Sequence, residues 1–217
     1  LDLAIFDLDN TLLAGDSDYL WGQFLIARGV VDRATYEREN ERFYDQYKNG
    51  TLDIFEFLRF QLRPLAEHDT ATLYAWRDEF MREKIHPIIL DKGRALLRRH
   101  RNAGATLLII TATNSFITAP IAAALGVKHL IATDPEFCAG RYTGDVAGTP
   151  SFREGKVTRL RQWLDSHGGT PRVSWFYSDS HNDIPLLEMV NHPVAVDPDP
   201  TLTRYAADKA WPIISLR

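Results

Sequence analysis

The 217 residues include one cysteine, Cys138, so neither an internal disulfide nor a cysteine-based metal cluster can form. No apolar run approaches the roughly 20 residues that would cross a bilayer. The formal net charge is −4 and no block of Lys or Arg stands out, which disfavours a nucleic acid held through its phosphates. The seven histidines show no two-histidine metal spacing, and His181, in an acidic stretch, reads as a neighbour rather than a ligand. Internal repeats, low-complexity tracts and a visible leader are also missing. These absences leave a cytoplasmic protein without membrane association as the expectation. Its 45% hydrophobic and 25% charged residues are ordinary for a globular chain long enough for one large domain, or for a domain with a sizeable insertion.

What is present is an alternation of short apolar runs and helical segments. Strand-like runs fall at 3–7, 106–111, 129–133, 173–178, 193–196 and 212–216, mostly uninterrupted by charge, as in parallel strands covered on both faces. Helices are expected at 91–102, 115–125, 154–166 and 182–190, with Gly104 and Gly126 ending the first two. The pattern predicts an α/β fold with a doubly wound parallel sheet. Residues 15–87 break it. Apolar side chains there recur at helical spacing in four segments (Trp21, Phe24, Leu25; Tyr36, Phe43, Tyr47; Leu52, Phe55, Leu58, Leu62; Leu73, Trp76, Phe80), set off by Gly29, Asn49-Gly50, Pro64 and His86-Pro87. This reads as an inserted helical bundle, its aromatics forming its own core, between 1–14 and 88–217. The insert holds 14 acidic and 10 basic residues, against 15 of each elsewhere. A short hairpin is expected over 138–146.

The chemistry-bearing residues cluster at predicted strand ends, where open α/β sheets bind ligands. Asp7-Leu8-Asp9-Asn10-Thr11 follows the first strand, and residues two apart project to one side, so Asp7 and Asp9 can address one atom or cation. The second strand ends in Thr111-Ala112-Thr113-Asn114 before a helix, where a hydroxyl beside free amides suits a phosphate oxygen, although Thr and Asn are also common caps. Lys156 follows Gly155 at a helix start, against the helix dipole, and fits either a site cation or a solvated surface lysine. Another strand ends in Ser178-Asp179-Ser180-His181-Asn182-Asp183, where one helical turn would bring Asp179 and Asp183 to a common face. Two acidic pairs on neighbouring strand ends repel unless a divalent cation lies between them, and hard oxygen ligands favour Mg²⁺ over zinc.

Asp-x-Asp-x-Thr, a strand-terminal Thr, a Gly-Lys-led helix and Ser-Asp-Ser-x-x-Asp, in this order, resemble the four motifs of the haloacid dehalogenase-like superfamily. The long helical insert and the segment 140–146 resemble its phosphoserine phosphatase-like branch (subfamily IB). The resemblance implies a Mg²⁺-dependent phosphomonoesterase acting on a small phosphorylated metabolite. Asp7 would be the nucleophile that becomes an aspartyl-phosphate, and Asp9 the acid and base, a residue the superfamily's dehalogenases lack at that place. Thr111, with Ala112, and Lys156 would hold the phosphoryl group. Asp7, the Asp9 carbonyl and Asp179 would bind Mg²⁺, with Asp183 in support. Asn182 would contact phosphate or orient Lys156. Asp16 falls where the branch reads a substrate amine, and a helix N-cap fits it equally. Arg59, or Arg63, would read a carboxylate. The branch's Ser with a Gly pair is replaced here by Thr111-Ala112-Thr113-Asn114, so strict phosphoserine specificity is not implied. The acidic insert favours an amine-bearing phosphate such as phosphoserine or histidinol phosphate. A phosphotransferase and a non-catalytic phosphate-binding protein are the alternatives.

Overall fold

A computed structural model describes residues 1–49 and 51–217, without the Lys48 side chain; Gly50, read above as part of a break between helices, lies outside them. In chain order, β1 (Asp2–Phe6) is followed by α1 (Ser17–Ala27), α2 (Arg33–Asn49), α3 (Ile54–Glu67) and α4 (Thr70–Phe80). Next come α5 (Asp91–Asn102), β2 (Thr106–Asn114), α6 (Ser115–Ala124), β3 (His129–Cys138) and β4 (Arg141–Ala147). The chain closes with α7 (Glu154–Ser166), β5 (Val173–Ser178), α8 (Ile184–Leu187), β6 (His192–Val196), α9 (Pro200–Asp208) and β7 (Ile213–Ile214). The sheet order is β4-β3-β2-β1-β5-β6-β7, parallel except for β4. β4 turns back on β3 through Ala139 and Gly140, both at positive φ (49° and 81°), as a tight two-residue hairpin turn requires.

The period-2 geometry of β1 distributes its side chains between two cores. Leu3 and Ile5 pack with Leu160 of α7, Leu186 and Leu187 of α8, and Leu202 and Ala206 of α9. Ala4 and Phe6 pack on the opposite face with Leu96 and Leu97 of α5 and Phe116, Ile117 and Ile121 of α6. β2 repeats the division, Leu108 and Ile110 on the first face, Leu107 and Ile109 on the second. Full burial of each such side chain stabilises the fold by about 1.5–3 kcal/mol.

Helices α1 to α4 form the insertion, and Asp16, Asp53 and Asp69 cap α1, α3 and α4. Trp21, Phe24 and Phe80 pack edge-on or stacked, and Trp21 also meets Phe116 of α6, so the insertion shares one apolar core with the sheet's α5/α6 face. Two of the aromatics expected in its core are elsewhere: Phe55 is 48% exposed and Tyr47 lines a cavity. The chain leads into and out of the insertion side by side. Leu13 bridges Ile89, the Ala14 amide donates to the Ile88 carbonyl, and the Leu90 amide donates to Leu12.

Several elements differ from the sequence expectation: α3 runs through Pro64 rather than breaking there, β3 extends to Cys138, and β7 covers only Ile213–Ile214. β2 runs on to Asn114, past the strand expected at 106–111, with a register shift against β3 after Ile110. The helix expected at 182–190 is a 3₁₀ turn, His181–Asp183, followed by only Ile184–Leu187. There Ser180 is extended and caps the turn, and Asp183 leaves α geometry at ψ 0°, because their side chains bond locally and across the site. Helix α9 was not expected, although Asp199-Pro200 carries both an N-cap and a first-turn proline. No helix of the described residues is long and apolar enough to cross a membrane.

His100 of α5 is buried between Phe6, Trp175 and Tyr177, with its Nε2 2.7 Å from the Tyr177 hydroxyl. Burial pushes its pKa down to about 4, with the charge of Arg99 adding to the effect. An unfolded histidine titrates near about 6.5. The folded chain therefore binds fewer protons, and the His100 contribution is intact above that pH and is lost as pH falls from there towards 4. Urea unfolding is expected to show a lower midpoint at pH 5 than at pH 7, with a smaller difference in His100→Gln.

Candidate active site

The parity that buries Leu3 and Ile5 sends Asp7 to the α7 side of the sheet. The Asp7 amide extends the ladder, donating to the Tyr177 carbonyl at 2.9 Å. Lys156 lies one turn before Leu160 on α7, and both are buried. Its Nζ donates to Asp7 Oδ1 at 2.8 Å and to Asp183 Oδ2 at 2.9 Å. Those two carboxylates offset the cost of an ammonium in a first helical turn. Gly155 permits the placement: a Cβ there would lie 2.1 Å from the Pro150 carbonyl oxygen. Asp183 is held further by the Ser178 hydroxyl at 2.7 Å.

After Asp7 the chain turns through Asn10 at φ 58°, a region Asn tolerates better than most residues. The Asp9 carboxylate accepts from the Ser17 amide and the Thr113 hydroxyl, both at 2.7 Å. Thr111 Oγ1 accepts from the Thr113 amide at 3.2 Å. Across the site, the Thr11 hydroxyl donates to Asp179 at 2.9 Å and accepts from the Asp179 amide at 3.1 Å. The Asp199 amide donates to the Asp179 carbonyl at 2.9 Å, while the Asp199 carboxylate receives the His181 amide and ring and caps α9.

Burial raises the pKa of Asp7, with the charges of Asp183 and Asp9 adding to the effect and Lys156 opposing it. Asp179 is likewise raised, by burial and then by Asp7, against its Thr11 bond. Asp9 is pushed up to about 6 by burial and the Asp16 charge, against its bonds from Ser17 and Thr113. For Lys156, burial alone would lower the pKa, and Asp183 and Asp7 reverse this, so it remains an ammonium. One lysine is thus shared among more carboxylates than it can neutralise.

These groups open into a cavity of about 770 Å³ between the strand ends and the insertion. Asp7, Asp9, Thr111, Ala112, Lys156, Asp179, Asn182 and Asp183 all line it, as does Asp16, whose carboxylate caps α1 through the Tyr19 amide at 3.0 Å. Asn182 does not orient Lys156; Asp183 does. Its amide instead reaches the Tyr47 hydroxyl of α2, and its Oδ1 accepts from Arg153 Nε at 3.0 Å. Arg59 and Arg63 are corrections. α3 turns Ile54, Phe57, Leu58 and Gln61 to the cavity, a helical stripe that excludes both arginines. Arg59 pairs with Asp145 of β4 and Arg63 with Glu67. Thr11, Thr113 and Ser178 stood in the quoted motifs without an assigned role, and Tyr47 among the expected core aromatics; Asp199 was not singled out, although Asp199-Pro200 carries a cap signal.

The profile of the haloacid dehalogenase-like hydrolases matches residues 4–188. The chain belongs to that family. The histidinol-phosphatase of Neisseria meningitidis is 48% identical to this hydrolase over 220 residues, spanning 100% of this chain and 99% of that one. A Bordetella pertussis Tohama I protein of unknown function, solved as a crystal structure, is 48% identical, with a TM-score of 0.94 and 100% and 99% of the two chains covered. A phospho-aspartyl intermediate analogue of phosphoserine phosphatase shares the fold at 18% identity, with a TM-score of 0.69 and 99% and 93% coverage. The enzyme falls in the phosphoserine phosphatase-like branch, a phosphatase-type hydrolase with an inserted helical cap.

Members of this superfamily generally depend on Mg²⁺, and the donor set here fits a hard cation: carboxylate oxygens that raise one another's pKa, with a single ammonium among them. Among the described residues no group of three His, Cys, Asp or Glu side chains forms a ready-made cage. Mg²⁺ commonly takes one or two carboxylates and completes its shell with water and substrate phosphate. Replacing the shared lysine should expose the repulsion it suppresses. Lys156→Ala is expected to lose about 3–5 kcal/mol of stability at neutral pH, and less at pH 5, where the stranded carboxyls protonate more readily. Urea unfolding at the two pH values, without divalent metal, measures both.

Proposed function

We propose that this hydrolase cleaves phosphate monoesters of small cationic metabolites, histidinol phosphate foremost, through an aspartyl-phosphate on Asp7. The observation that carries the leaving-group assignment is the sign of the cavity wall. Away from the phosphate end the cavity is lined by Asp16, Asp18, Glu37 and Glu41 among aromatic side chains. Lys156 is the only cation lining it among the described residues, and it is already engaged by Asp7 and Asp183. A phosphoserine carboxylate would meet this wall unpaired, whereas an amine and an imidazole match it. The name of the 48%-identical Neisseria relative agrees with this reading.

In the proposed reaction the Asp7 carboxylate attacks phosphorus, and the bond to the leaving oxygen breaks as Asp9 donates its proton to that oxygen. Asp9 then takes a proton from water, the water oxygen bonds to phosphorus, and the Asp7–phosphorus linkage breaks to release phosphate. A pKa near 6 suits Asp9 to both halves. The Thr111 hydroxyl, the Ala112 backbone, Lys156 and Asn182 surround the phosphoryl group. Asp7, the Asp9 carbonyl and Asp179 would hold Mg²⁺, with Asp183 in support, and the ion would neutralise charge on the phosphoryl oxygens. Residues 15–87 act as the cap over a core of 1–14 and 88–217, excluding bulk water and large substrates.

Asp7→Asn is expected to lower kcat by at least about a thousandfold while preserving the unfolding midpoint. Beryllium fluoride should be trapped on Asp7 in the wild type, and chelation should silence turnover reversibly. In a phosphate-release screen, kcat/KM for histidinol phosphate should exceed that for phosphoserine and for glucose 6-phosphate by at least about tenfold. Preference for the sugar phosphate would remove the cationic-substrate reading and leave the hydrolase.

A further inference from the structure

The acidic wall is not uniform. Asp9 accepts from Ser17 and Thr113, and Glu37 pairs with Arg33 one helical turn away. Asp16, at the position the branch uses for a substrate amine, gives an oxygen to the Tyr19 amide at 3.0 Å and caps α1. Glu41 is exposed to solvent. Asp18 is different: half-buried, lining the cavity, and without a hydrogen-bond donor or ion-pair partner among the described residues. The neighbouring Tyr36 hydroxyl, which comes close because Gly22 has no side chain, donates to Gln61 at 3.2 Å and leaves Asp18 unpaired.

We infer that Asp18, rather than Asp16, is the carboxylate that receives the substrate's cationic group, an inference that rests on the amine-bearing reading above. Burial and the charges of Asp16 and Asp9 all disfavour an ionised Asp18 in the empty cavity. A cationic leaving group replaces that unfavourable arrangement with a charge-assisted contact away from bulk water, where such contacts are strongest. Asp16 has less to gain, because its capping bond is already made. Its carboxylate instead holds the first turn of α1 and so places Asp18.

The test compares wild type, Asp18→Asn and Asp16→Asn on L-histidinol phosphate and p-nitrophenyl phosphate with Mg²⁺, by phosphate release. Turnover of p-nitrophenyl phosphate by the same preparations reports that each variant is folded. The ratio of kcat/KM between the two esters is expected to fall roughly ten- to a hundredfold in Asp18→Asn, through KM for histidinol phosphate rather than kcat. In Asp16→Asn, whose amide can still cap, the ratio should stay within about threefold. The inference is overturned if Asp16→Asn carries the loss, or if Asp18→Asn lowers both esters alike. A wild type without preference for histidinol phosphate overturns the amine reading and this inference together. A wild-type preference that survives in Asp18→Asn overturns the inference alone.

Discussion

One ammonium held between two buried carboxylates organises the active-site end of this fold. Lys156 reaches Asp7 from the first turn of α7 and Asp183 from the turn after β5, joining three chain segments that are distant in sequence. Each partner would be costly to bury alone. Together they fix α7 over the sheet, and Ser178 and Gly155 make sense as parts of that fixing. In the proposed function, a divalent cation beside Asp179 would offset the carboxylate charge that Lys156 leaves unmatched.

The cavity has two walls: one from the strand ends, with Asp7, Thr111, Lys156 and Asp179, and one from the insertion, with Asp16, Asp18, Glu37 and Glu41. In the proposed function the first holds phosphate and the second meets the leaving group. The first is assembled from the ends of β1, β2 and β5 and the start of α7. The second comes from α1, α2 and α3; α1 and α3 share an apolar core with α5 and α6, and α1 and α2 reach the first wall by hydrogen bonds. Tyr47 meets Asn182 across the cavity, and Ser17 of α1 donates its amide to Asp9.

Period-2 alternation in β1 made the side of the sheet that Asp7 faces readable before the fold. Gly-Lys before an apolar helical stripe left Lys156 open between a site cation and a surface lysine, and only the order of the four motifs pointed to the first. Arg59 was misplaced because its role depends on the helical phase of α3 relative to β4, and residue type does not encode that phase. Thr11 and Thr113 stood in quoted motifs but without a partner: their hydroxyls act on Asp179 and Asp9, 168 and 104 residues away in the chain, and no local pattern names such a partner. Asp179 and Asp183 do converge on the site, but through an extended Ser180 and a short 3₁₀ turn rather than one face of a helix. The local hydrogen bonds of Ser180 and Asn182 outweighed helix propensity there.

The paired connectors at Leu13 and Ile89 give the insertion the character of an interchangeable part. Its two ends meet across a single antiparallel bridge, so a loop of a few residues could join them without disturbing the strand that carries Asp7. Evolution, or a protein engineer, could exchange the inserted helices, which in the proposed function meet the leaving group, and leave the carboxylates at the strand ends in register. New substrates would then be reached by recombining modules rather than by rebuilding catalysis.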